Sequence, residues 1–101
     1  MSRLAALHPS LTQSPGDHGY YTHQLAMDCP SCGSAYRLVI SVVLNAPPPG
    51  RAGVWGLQVP ASPSGDGWDG VTMSPSFQNS NHGRRKSCTV HFSIINGEVV
   101  P

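Results

Sequence analysis

Polar and apolar residues alternate at a period of two over several short runs of this chain, and no stretch predicts a long helix. Tyr20 to Met27 places Tyr21, His23, Leu25 and Met27 on one side, which predicts a strand. Ala35 to Leu44 carries the clearest strand pattern. Tyr36, Leu38, Ile40, Val42 and Leu44 share a face, and β-branched residues are dense. Val54 to Val59 predicts a shorter strand, with Trp55, Leu57 and Val59 on one side; Val71 to Ser74 predicts another, stopped by Pro75. Thr89 to Ile95 and Glu98 to Val100 flank Asn96-Gly97, a pair that tolerates positive φ and so predicts a tight hairpin.

Between these runs lie breakers. Asn45 to Gly53 contains Pro47, Pro48 and Pro49, which stiffen it toward polyproline II. Pro60 to Gly67 is a second loop, Trp68-Asp69-Gly70 a turn, and polar Asn79 to Lys86 a third loop. In residues 1–19, Leu4, Leu7 and Leu11 have helical spacing, but Pro9 interrupts them. This segment predicts a flexible arm with one helical turn, and residues 20–101 a mainly β domain.

Composition narrows the class. The chain has 101 residues, enough for one domain. Eleven glycines and ten prolines demand long loops, and a domain this small gains much from a metal staple. Charged residues are 11% against roughly 25% in an average protein, which argues against a coiled coil or a charge-rich tail. A net charge of +1 gives no global pull toward nucleic acid or an anionic membrane. The longest apolar run, Leu38 to Leu44, is strand-sized and far short of the roughly 20 residues of a membrane helix. No secretory signal is evident, and three cysteines are an odd number for a disulfide framework. The expected location is a reducing cytoplasm.

All three cysteines fall into one pattern. Cys29-Pro30-Ser31-Cys32-Gly33 is answered by Cys88-Thr89-Val90-His91. Three thiolates and one imidazole form a tetrahedral Zn²⁺ shell, and each half has two ligands separated by two residues. Pro30 fixes φ after the first thiolate, and Gly33 permits φ > 0 after the second, so amide groups can turn toward sulfur. The competing reading of Cys29 and Cys32 is a pair of buried turn residues or a redox dithiol. A β-branched strand follows, however, where a redox motif normally opens a helix.

For Cys88 and His91, residues three apart on a regular strand face opposite ways, so Cys88 must sit in the incoming loop or on a bulge. Otherwise Cys88 packs in the core and His91 hydrogen-bonds on a strand face. His82 and His23 are the substitute ligands. A closed shell predicts a structural ion, because a catalytic zinc keeps a position open for water.

Arg84-Arg85-Lys86 holds half of the positive charge and suits an anionic partner, or serves as a solubilising loop. Trp55 and Trp68 are either partner-binding or base-stacking platforms, or core. Neither a nucleophile elbow nor a phosphate-binding loop is present.

With these residues in view, the chain resembles a family of small bacteriophage and bacterial proteins classed as a domain of unknown function. The resemblance rests on three motifs in order: the Cys29–Gly33 knuckle; Trp68-Asp69-Gly70 followed by Thr72-Met73-Ser74-Pro75-Ser76; and Cys88, His91, Phe92, Ile94, Gly97 and Val99. It covers roughly residues 27–100, leaving the first 20 or so outside. Some relatives place the cysteine directly before the histidine, whereas here two residues intervene. The resemblance implies zinc binding by Cys29, Cys32, Cys88 and His91, a phage or prophage source, and an accessory role with protein partners. Some relatives look to be associated with ubiquitin-like conjugation systems. It also implies a turn at Ser74-Pro75-Ser76 packing over the zinc lobe, and it supplies no reaction.

The expectation is therefore a small zinc-stapled antiparallel β domain, zinc-ribbon-like, with long Pro/Gly loops and a structural Zn²⁺. It is expected to act by protein–protein interaction in host takeover or counter-defence, in the host cytoplasm if phage-encoded, and without catalysis. The alternatives are a nucleic-acid module using Arg84, Arg85, Lys86 and an exposed tryptophan, and a zinc hydrolase.

Overall fold

The structure is a computed structural model that describes residues 2–14, 20–31, 33–47, 53–60, 65–82 and 88–101. Its strands in chain order are β1 Ser2–Arg3, β2 Ser10–Gln13, β3 His23–Cys29, β4 Gly33–Leu44, β5 Val54–Gln58, β6 Thr72–His82, β7 Cys88–Ile95 and β8 Glu98–Val100. Short 3-10 segments cover Leu4–Leu7 and Gly65–Gly70, and no α-helix occurs among the described residues. The mainly β expectation holds.

All eight strands join one curled half-barrel sheet, in the order β1-β8-β7-β6-β5-β4-β3-β2. Chain connectivity requires the curl. A flat sheet would separate β1 from β2 by seven strand spacings, about 34 Å. Only residues 4–9 join these two edge strands, and they reach at most about 25 Å even fully extended.

Within the segment expected as a flexible arm, residues 2–3 and 10–13 pair with the sheet. β1 pairs with β8 and β2 with β3, so residues 2–13 run from one edge of the sheet to the other. Leu4 is fully buried in the core between them. Its amide donates to Gly97 O at 2.7 Å. Residues 15–19 lie outside the described residues.

The predicted faces of β3 and β4 are observed. Leu25, Met27 and Cys29 are buried along β3, and Leu38, Ile40 and Val42 along β4. These side chains meet Val90, Phe92 and Ile94 of β7 and Met73 and Phe77 of β6 in one core. The Asn96-Gly97 hairpin forms as predicted, with φ of 50° and 80°.

Four further expectations change. The sheet is not wholly antiparallel, because β5 lies parallel to β4, with Ser41 opposite Val54 and Leu44 opposite Leu57. β6 is not stopped at Pro75 but runs on to His82. The residues between Met73 and Phe77 stand against the single residue Ser93, a bulge that accommodates a proline lacking an amide donor. Asn79 to His82 consequently pairs with β7 and is not loop; 83–86, the remainder of that expected loop, lie outside the described residues. Trp68-Asp69-Gly70 lies in the 3-10 segment where a simple turn is expected.

Candidate metal centre

Cys29 ends β3, and Gly33, directly opposite it, begins β4, so the knuckle is the turn of a hairpin. Alternation from Leu25 and Met27 carries Cys29 onto the inner face, where it is fully buried. The Ser31 amide donates to Cys29 Sγ at 3.4 Å. That is the amide-to-sulfur arrangement expected of a turn built around a thiolate. Cys32 lies outside the described residues.

Curling brings this turn to β7. Pro30 and Ser31 form one side of a cavity of about 220 Å³, and Val90, His91 and Phe92 the other, with Pro101 at its rim. The knuckle and the C-terminal hairpin, distant in sequence, are thus neighbours in space.

Cys88 is the first residue of β7, opposite His82 of β6. The bulge expected near Cys88 lies on β6 instead: Ser80 and Asn81 stand against Thr89, while β7 runs unbroken from Cys88 to Ile95. His91 is exposed, and its Nε2 lies 3.2 Å from Ser76 Oγ. The Ser74-Pro75-Ser76 segment, expected as a turn over the zinc lobe, is the β6 bulge, and Ser76 O also accepts a 3.2 Å hydrogen bond from Trp55 Nε1. His23 opens β3, six residues before Cys29 and about 20 Å away along the strand, too far to share an ion with it. Its Nδ1 lies 2.9 Å from Thr22 Oγ1. No cluster of three or more metal-ligating side chains forms among the described residues.

Asp28, the neighbour of Cys29, is buried on the opposite side of β3 from it. Its Oδ2 lies 2.8 Å from His8 Nδ1, and its Oδ1 accepts from Arg37 Nη1 at 2.8 Å. Arg37 Nη2 also donates to His8 O at 2.8 Å. The hydrogen bond with His8, reinforced by Arg37, holds the Asp28 carboxyl below its ordinary pKa against the opposing effect of burial. This group ties residues 2–13 to the β3–β4 hairpin; sequence reasoning missed it because Asp28, His8 and Arg37 meet only once β2 is placed beside β3.

The other candidates separate. Trp68 is buried in the core, at 6% exposure, and offers no stacking face. Trp55 is half-buried against Phe77, with ring centres 5.0 Å apart. Arg84, Arg85 and Lys86 lie outside the described residues. A second cavity, of about 370 Å³, is lined by Asn45, Gln58, Thr72 and Ser74 among others, and none of its described lining residues is charged. Compared with protein-family models, curated proteins and solved structures, the chain matches none.

Proposed function

We propose that this chain is a zinc-stapled β module. Its ion is held by Cys29, Cys32, Cys88 and one histidine, and it works by binding another protein. The observation that carries the reading is the knuckle itself. The Ser31 amide is directed at Cys29 Sγ, and the same turn shares a cavity with β7, the strand that Cys88 begins. Four protein ligands leave the ion no position for water, so its part is to fasten the β3–β4 hairpin to β7. Contact with a partner then falls to the protein surface. β1 and β2, each paired on one side only among the described residues, offer strand edges to which a partner segment can add. The phage or prophage setting, with a role in host takeover or counter-defence, rests on the order of the three sequence motifs.

Zinc content tests the reading. Protein purified with zinc under reducing conditions should carry one ion per chain, and Cys29→Ser should abolish it. Binding at such sites is worth on the order of 10–16 kcal/mol and is inseparable from folding. Protein that binds no zinc and melts with the same cooperative transition in chelator overturns it. For the partner, a stoichiometric protein complex recovered from the producing cells is expected. Nucleic acid bound with a steep salt dependence would favour the alternative instead.

A further inference from the structure

We infer that β2 is an interface between two copies of this chain, which join edge to edge as antiparallel strands about a two-fold axis beside Thr12. The inference rests on the edge-pairing part of the reading above, names the partner, and does not depend on the ion. β2 bonds β3 on one side only among the described residues. Its register sets Ser10 against Ala26, Leu11 against Leu25, Thr12 against Gln24 and Gln13 against His23. The Ser14 amide, next in line, donates to Thr22 O at 3.1 Å. Opposed pairs of an antiparallel ladder alternate between bonded and non-bonded. Even-numbered residues of β2 therefore direct their amides and carbonyls at β3, and Leu11 and Gln13 turn theirs to the free edge.

That edge carries none of the devices by which edge strands refuse a partner, which are charge, proline and bulges. The four residues of β2 are uncharged, no bulge interrupts the strand, and Thr12 and Gln13 are exposed. β1, the other edge, is two residues long, and its Arg3 is engaged with Asp69 and Glu98. Pro9 and Pro15, the next odd-numbered residues on either side, have no amide to donate. Leu11 and Gln13 are thus the outward donors of this edge, and a second copy brings the same two donors and two acceptors at the same spacing. With Leu11 opposite the partner's Gln13, and the reverse, the two edges exchange four hydrogen bonds. The axis then brings Thr12 beside the partner's Thr12 on the outer face, a favourable cross-strand pair. Any extended segment can meet these groups, but a second copy does so with its strand already ordered by β3, without the ordering cost of a free peptide. The net charge of +1 sets up little repulsion between copies. Four-residue edges bury far less than the roughly 1,200 Å² of a stable interface, so the dimer is weak and reversible, with a Kd of about 0.1–1 mM.

Sedimentation equilibrium of the full chain, from about 10 µM to 1 mM, tests this around the expected Kd. The mean mass should rise toward that of two chains, and the Leu11 and Gln13 amides should exchange more slowly as concentration rises. Thr12→Lys and Thr12→Glu, at an exposed position, should each melt close to wild type. Each should weaken association by about tenfold, because the axis sets like charges side by side. An equimolar mixture of the two variants should associate again, as a mixed dimer. A dimer that ignores both substitutions, or a mixture that does not recover, places the contact elsewhere and overturns the inference. A wild type that stays monomeric throughout also overturns it, and leaves the reading of a different protein as partner in place.

Discussion

Gly97 lies against the backbone of Trp68 so closely that a β-carbon on it would stand 2.6 Å from the Trp68 carbonyl oxygen. The same glycine has φ of +80°, accepts a hydrogen bond from the Leu4 amide and donates one to Val71 O. The β7–β8 turn, the Gly65–Gly70 segment and the N-terminal residues therefore meet on one residue that tolerates no side chain. Gly53 also has positive φ, at +85°, but nothing lies within 4 Å of its missing β-carbon. Gly97→Ala should destabilise the protein by at least about 2 kcal/mol, the left-handed strain plus a backbone collision, while Gly53→Ala should incur only the strain, about 1–2 kcal/mol. Urea midpoints of the two variants measure the difference, and equal losses would show that the approach to Trp68 relaxes freely.

Phe77 stands between Trp55 and Phe92, with ring centres 5.0 Å and 5.3 Å away and both pairs tilted. It is the first inward residue after the β6 bulge and is buried. Phe77→Ala should cost about 3–5 kcal/mol, because it opens a cavity in the core and breaks two aromatic contacts. It should also red-shift the fluorescence of half-buried Trp55, whose ring loses its apolar neighbour. Phe77→Leu should recover most of the stability, and a fully stable Phe77→Ala would mean that the bulge collapses to fill the space.

What could be read from the sequence depended on whether the signal was local. Asn96-Gly97 and the alternation of Leu38, Ile40 and Val42 are written in adjacent residues, and both appear as expected. Pro75 lacks an amide donor and so ends the strand that the sequence predicts; only the partner strand reveals that a bulge removes the need for one. The parallel pairing of β4 with β5 depends on where the chain returns after Asn45, which no local pattern encodes. Leu4 reads in the sequence only as one of three leucines at helical spacing, and its value comes from the gap it fills. At the candidate metal centre the knuckle spacing was legible. The closeness of the knuckle to β7 was not, because it depends on how the sheet curls.

The N-terminal residues carry the last prediction. They close the opening between the two edges of the sheet, and two kinds of contact hold them. The Arg3 guanidinium hydrogen-bonds Asp69 and lies 3.7 Å from Glu98 Oε1, an arrangement that raises its already high pKa, but all three side chains are substantially exposed. Solvent and salt screen such pairs, so Arg3→Ala should change stability little, and less still at high ionic strength. Leu4 is fully buried, and Leu4→Ala should cost about 2–5 kcal/mol through lost transfer energy and the cavity left behind. Deleting residues 1–13 should cost at least as much, since it also removes the β1 and β2 pairings and uncovers Asp28 and Arg37. Thermal melts of the three variants order the contributions. A deletion that melts with wild type, or an Arg3→Ala loss that matches Leu4→Ala, would show that the segment lies on the domain without being part of its core.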